Sequence, residues 1–187
     1  EGPFAHAECS TRWWFMMANL KDIIAYILQN YPSNMKHELS NARVTKMVYL
    51  ADWRNCLRSK GQVSDIEWYF DNFGPFVWDV KKAAEEFPEI FDVGSEKNMY
   101  GSTKTIFQIK DDSFKPDLTN SEKKSIDHII GVSSKKYWDN FIKLVYSTHP
   151  IASSERYSYL NLGEKAAEYR ELKDAQYLTS PPSPSKP

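Results

Sequence analysis

The sequence predicts a mainly α, α+β fold: a helical domain with a small antiparallel β element, a hairpin, inserted between helices. Three observations lead there. Apolar residues recur at three- and four-residue spacing in several separate stretches, the signature of amphipathic helices. Only short segments near Ile66–Phe70 and across residues 91–109 carry strand-like patterning. Helix-breaking or turn-forming residues (Pro32, Gly61, Gly74-Pro75, Pro88, Pro150) stand where the periodic stretches stop.

The elements follow in order. Asn19 caps a first helix whose stripe is Leu20, Ile23, Ile24, Ile27, Leu28 and Tyr31, and Pro32 ends it. Residues 33–39 form a polar connector holding His37. A second helix enters through Ser40 or Asn41, either of which can accept a hydrogen bond from the first turn. Val44, Met47, Val48 and Ala51 line its apolar face, and Leu50 and Leu57 widen that face toward Arg54. A face this wide meets more than one neighbour, so this is the expected central helix, packed against the first. Gly61 is expected to close it in a left-handed conformation, with Arg58 and Lys60 favourably placed at its negative end.

Ile66, Trp68 and Phe70 then alternate with Glu67, Tyr69 and Asp71, as in a strand. Asn72-Phe73-Gly74-Pro75 is expected to turn the chain from that strand into a helix carrying Val80, Ala83, Ala84 and Phe87, which Pro88 stops. Phe91–Val93 and Thr105–Ile109 read as a wing-like hairpin with a polar loop. Thr119 and Glu122 have capping-box spacing before Ile126, Ile129 and Ile130, with Gly131 ending or weakening that helix. Tyr137, Trp138, Phe141, Leu144 and Val145 make another helix, expected to be closed by His149-Pro150, and a last one spans Leu162 to Leu172.

Composition bounds the function. Of 187 residues, 24 are basic and 25 acidic, a net charge of −1 that supplies no field for duplex DNA, although a local basic patch stays open. Cys9 and Cys56, one in an irregular stretch and one on the central helix, do not suggest a disulfide, which points to the reducing cytoplasm. No apolar run approaches the ~20 residues of a membrane span. Residues 1–16, with Trp13-Trp14-Phe15, read either as a leader or expression-derived arm or as a native arm whose aromatics dock. Residues 17–177 read as a single domain, and residues 178–187 as a flexible Pro/Ser-rich tail.

No catalytic motif is present: there is no phosphate-binding glycine loop, no nucleophile elbow and no paired histidines on a helix. His6, His37, His128 and His149 are scattered, with no cysteine at metal-ligand spacing, so no cofactor or metal is expected. Glu85-Glu86 is a solvated helix face, since adjacent helical residues diverge. The turn at Gly74-Pro75 gathers aromatics. Trp68 and Phe76 are assigned to the core, while Tyr69, Phe73 and Trp78 are equally suited to core packing or to partner contact.

Three stretches carry a resemblance. Ser40-Asn41 followed by Lys46-Met47-Val48-Tyr49-Leu50-Ala51 resembles the opening signature of the Panacea domain, the SocA-like antitoxin family. Asp65-Ile66-Glu67-Trp68 with Phe73-Gly74-Pro75-Phe76-Val77 is similar to the family's second segment, and Ser147-Thr148-His149-Pro150 to a third. They come in the family's order, with Asp52 where a Gln is usual and Ile151 where a Trp is usual. The resemblance spans residues 20–168. It implies an antitoxin that binds a cognate toxin protein directly and neutralises it without chemistry. It assigns Ser40, Asn41, Lys46, Tyr49, Gly74, Pro75 and His149 to the family pattern. The expected contact residues are Tyr69, Phe73 and Trp78 at the turn, with Tyr49, Trp53 and Arg54 on an exposed flank of the central helix. The alternative is a winged-helix-like regulator that binds its own operator DNA through cations of that helix: Arg43, Lys46, Arg54, Arg58 and Lys60.

Overall fold

A computed structural model describes residues 19–59, 61–97 and 101–179. The helices are α1 (Leu20–Asn30), α2 (Asn41–Ser59), α3 (Asp79–Glu86), α4 (Asn120–Ser133), α5 (Trp138–Tyr146), α6 (His149–Ala152) and α7 (Leu162–Thr179). A 3-10 segment, Ser33–Glu38, lies between α1 and α2. The strands are β1 (Trp68–Asp71), β2 (Gly74–Phe76), β3 (Phe91–Lys97), β4 (Thr103–Ile109) and β5 (Ser158–Leu160). The protein is thus mainly α with two small antiparallel sheets between helices. The arm at 1–16, and all of the 178–187 tail beyond its first two residues, lie outside the described residues.

Local chemistry sets most boundaries. Asn19 accepts a hydrogen bond from Lys21 N at the start of α1, and Pro32 follows its end. Ser40 Oγ accepts from Arg43 N at the entry to α2, while Asn41 Oδ1 accepts from the Thr45 hydroxyl. Thr119 and Glu122 form the expected reciprocal capping box at α4. α2 is central: 13 of its 19 residues are buried. The α1 stripe and the α2 face Val44, Met47, Val48 and Ala51 belong to one core with Trp68, Ile126, Phe141 and Leu162.

Several expectations are corrected. Gly61 does not adopt a left-handed conformation; its carbonyl instead accepts a hydrogen bond from Asn55 Nδ2. The turn after β1 does not lead straight into a helix, because Gly74–Phe76 first pairs back as β2. Of the two alternatives at Gly131, ending the helix is excluded, because α4 runs through it to Ser133. His149-Pro150 does not close α5, which stops at Tyr146; it opens α6, where a proline near the N-terminus loses no needed N–H. Helix α7 continues well past Leu172, to Thr179. The 3-10 segment and β5 had no counterpart in the sequence reading.

The wing-like hairpin is β3–β4, in register from Phe91↔Ile109 to Lys97↔Thr103. The second sheet has the order β2-β1-β5. Its outer strand β5 lies almost ninety residues downstream of β1, so this sheet is assembled by tertiary folding.

Candidate partner-binding face

The β2-β1-β5 sheet is set on α2 by one buried carboxylate. Asp52 Oδ1 accepts from Val63 N at 2.9 Å and Ser64 N at 2.8 Å; Oδ2 accepts from Ser64 Oγ at 2.5 Å and Trp68 Nε1 at 2.8 Å. Complete burial raises the Asp52 pKa to about 6, and the four hydrogen bonds oppose that rise. Trp68, itself buried, meets Tyr49 edge-on at 5.4 Å. The Thr148 hydroxyl donates to Val145 O at 2.7 Å, so its single proton is committed. Tyr49 must therefore donate to Thr148 Oγ1 across 2.8 Å. Burial also raises the Tyr49 pKa.

Residues of the three resemblance segments thus meet at one buried point: Tyr49 from α2, Trp68 from β1 and Thr148 before α6. Their shared task is to lock a sheet onto the central helix. This corrects the placement of Tyr49 and Trp53 on an exposed flank. Tyr49 has no exposed surface, and Trp53 packs edge-on against Tyr169 of α7. Arg54 is only half-buried.

Alternation along β1 then fixes what the sheet shows outward. Trp68 and Phe70 point to the core, with Phe70 edge-on to Tyr146. Tyr69 points the other way and stands directly opposite both Phe76 on β2 and Tyr159 on β5. The Tyr69 and Tyr159 rings are 5.2 Å apart, and Phe76 meets Trp78 at 5.1 Å. An aromatic ladder Trp78–Phe76–Tyr69–Tyr159 therefore crosses the outer face. Trp78 is 59% exposed and Tyr159 74% exposed, so this ladder faces solvent.

The β1–β2 turn extends it. Phe73 is 77% exposed at the tip. Gly74 has φ +90°, and a Cβ there would lie 3.3 Å from Tyr146 Cε2, so glycine is needed both for conformation and for space. Tyr157, leading into β5, holds φ +65°, unfavourable for a side chain of this size. Its N–H donates to Phe70 O at 2.6 Å and its hydroxyl to Asn72 Oδ1, so the strained residue is tied to the turn. The result is a pre-shaped, largely apolar surface with hydroxyl groups around it.

Among the expected contact residues, Tyr69, Phe73 and Trp78 are gathered here. Tyr157 and Tyr159 are additions, and Phe76, assigned to the core from sequence, is instead half-buried in the outer ladder because it pairs opposite Tyr69. Their Tyr-Ser-Tyr-Leu alternation is a strand signal, but three residues are too few to establish a strand without its partner. Of the remaining family-pattern residues, Pro75 is opposite Phe70 in the register. Lys46 is buried, has no hydrogen bond or ion pair among the described residues, and has a pKa lowered to about 8 by burial. His149 does not cap a helix end through its ring. Its Nε2 lies 3.4 Å from Glu168 Oε1, off hydrogen-bond alignment, with the ring 5.5 Å from Tyr169. That joins α6 to α7.

The cations expected on an exposed recognition helix are also redistributed. Arg43 is wholly buried, donating to Tyr31 Oη, Ser133 O and Lys136 O, pairing with Glu38 at 3.1 Å and lying over the Phe141 ring. With Lys46 buried as well, neither can reach a DNA groove from this conformation. Lys60 lies outside the described residues. Among the described residues, no three His, Cys, Asp or Glu side chains are grouped to hold a metal, and no helix is long and apolar enough to cross a membrane.

A family model described as antitoxin SocA-like, Panacea domain, matches residues 44–150, more than half of the chain. No curated protein and no solved structure matches it.

Proposed function

From the premise that this chain belongs to the SocA-like antitoxin family through its Panacea domain, we propose that it binds a cognate toxin protein directly and neutralises it by blockade. In this reading residues 17–177 form a single functional domain, and the protein acts in the cytoplasm without catalysis or cofactor. The observation that carries the reading is the solvent-facing aromatic ladder on a sheet locked to the central helix. Exposed Trp, Tyr and Phe on a pre-ordered scaffold lose little entropy on binding and supply most of the energy at protein–protein contacts. Tyr69, Phe73, Phe76, Trp78 and Tyr159 are the proposed anchors. Blockade needs an interface on the order of 1,600 Å² in total, about half from each protein. The ladder with its turn is the centre of such a patch.

The test is co-expression with the product of the adjacent reading frame. That product alone is expected to arrest growth, and the pair is expected to restore it and to co-purify. Replacing Phe73 and Tyr159 together by Ser is expected to abolish rescue while leaving thermal unfolding near that of the unchanged chain. Growth arrest that persists with both intact proteins would overturn the proposal. Rescue by the doubly substituted chain would overturn the assignment of the face.

A further inference from the structure

The seam between α2 and α4 carries a second feature that the aromatic face does not use. Arg54 and Arg58 are one helical turn apart and lie on one side of α2. Lys124 and His128 have the same spacing on α4 and are exposed. Arg58 Nη1 reaches Ser125 Oγ across the seam at 3.4 Å, and Ser125 Oγ donates to Asn55 Oδ1 at 2.9 Å, so the two helices present these cations together.

Among the described residues nothing acidic pairs with any of the four. The acidic residues of α4 are turned elsewhere: Glu122 closes its own capping box, and Asp127 accepts from Tyr26 Oη of α1 at 2.9 Å. Arg54 Nε is buried without a hydrogen-bond partner. Burial, and then the charges of Arg54 and Arg58, hold the His128 imidazole below its usual range. Burial and Arg58 likewise depress the Arg54 guanidinium. The cluster repels itself and lacks only a counter-charge.

We propose that this seam is a docking surface for an acidic segment of a protein partner, a short run of Asp or Glu side chains seated on Arg54, Arg58, Lys124 and His128. Charge complementarity selects the occupant. Three cations, Arg54, Arg58 and Lys124, with His128 able to take up a proton when an anion is seated, match two or three carboxylates over about two helical turns, and the arginine forks suit carboxylate oxygens. Duplex DNA calls for a much wider basic footprint, commonly about 6–10 phosphate contacts. The other described α2 cations, Arg43 and Lys46, are buried and cannot widen it. Asn55 faces α4 while Tyr49, six residues earlier, faces the sheet. Six residues turn a helix by about 240°, so the basic seam and the aromatic face lie on different sides of α2 and can be occupied together.

The full chain is titrated with a fluorescent oligoglutamate peptide and, in parallel, with a short DNA duplex. Anisotropy is read at low and at physiological salt, and the His128 ring is followed by NMR. Oligoglutamate is expected to bind and to weaken with salt, and the His128 pKa is expected to rise in the complex. Two double variants, Arg54→Gln/Arg58→Gln and the fully surface-placed Lys124→Gln/His128→Gln, are each expected to weaken binding roughly tenfold or more. Lys82→Gln, an exposed cation on α3, is expected to leave it unchanged. Absence of oligoglutamate binding, or binding that survives both double variants, would overturn the proposal. So would duplex binding that is tighter than peptide binding and depends on the same four residues.

Discussion

Trp68 and Tyr69 are adjacent in the chain and belong to opposite worlds. Trp68 is sealed between Tyr49 and the Asp52 carboxylate. Tyr69 stands in an aromatic row with Phe76 and Tyr159 on the outer face of the same strand. The inner face gathers Tyr49, Trp68 and Thr148, one residue from each of the three resemblance segments; the outer face gathers Tyr69, Phe76, Trp78 and Tyr159. The comparison teaches a division of labour. The buried contacts of Trp68 hold the sheet on α2, and the side chains on its far side are left facing solvent.

That division can be broken most severely at Trp68. Trp68→Ala removes a large fully buried ring, leaves Asp52 with one donor fewer and strips the edge contact from Tyr49. A loss of about 3–5 kcal/mol is expected in urea unfolding followed by circular dichroism. A loss under ~1 kcal/mol would show that the lock is not what fixes the sheet.

The next effect is a pH dependence at Asp52. Its folded pKa, about 6, lies above the ordinary 3.8. Between those values the folded chain holds a proton that the unfolded chain releases, so this group's contribution to stability falls as pH rises from about 4 to 6. The swing is on the order of 3 kcal/mol. Asp52→Asn is expected to flatten that part of the stability-against-pH curve, measured by urea unfolding at several pH values. A curve that rises over the same window in the unchanged chain, and is unaltered by the substitution, would contradict the assignment.

Lys46 sharpens the comparison from the basic side. Its folded pKa of about 8 lies below the ordinary 10.5. Desolvation of this ammonium destabilises the fold below pH 8, and that penalty disappears as pH rises from 8 to 10.5. Lys46→Met keeps most of the packing and removes the charge. Stability at pH 7 is expected to rise by about 1–3 kcal/mol, with the gain shrinking as pH rises from about 8 to 10.5. Destabilisation at pH 7 would mean that the ammonium is used by the folded protein.

The smallest stability effect belongs to the outer face. Phe73→Ser and Tyr159→Ser are each expected to change unfolding free energy by about 0.5 kcal/mol or less, because both side chains are mostly in solvent. Each is expected to weaken toxin binding by roughly tenfold or more, read by titration calorimetry. A large stability loss with unchanged binding would invert the proposed roles of the two faces.

Much of the helical architecture was legible in the residues. The stripe from Leu20 to Tyr31, the Thr119–Glu122 box and the alternation around Trp68 are local signals, and the structure carries them as read. What failed was local information about distant partners. Gly74-Pro75 read as a turn into a helix, because nothing in the two residues reveals that the chain pairs back on β1. The alternation at Tyr157–Leu160 is too short a signal to be read alone, since the three-residue strand Ser158–Leu160 exists only by virtue of a partner far away in the chain. Periodicity puts Tyr49 and Trp53 on an exposed flank of α2 because it cannot count how many neighbours a helix will have.

The sequence by itself determined most of the helices, the caps at Asn19 and Thr119, the balance of charge and the family, because each rests on residues close together or on patterns carried in order. Only the tertiary structure decided which side of the sheet is a lock and which is a surface. It also decided which of the α2 cations are buried. Exposure depends on which elements pack where, a property of contacts between residues tens of positions apart rather than of any one stretch.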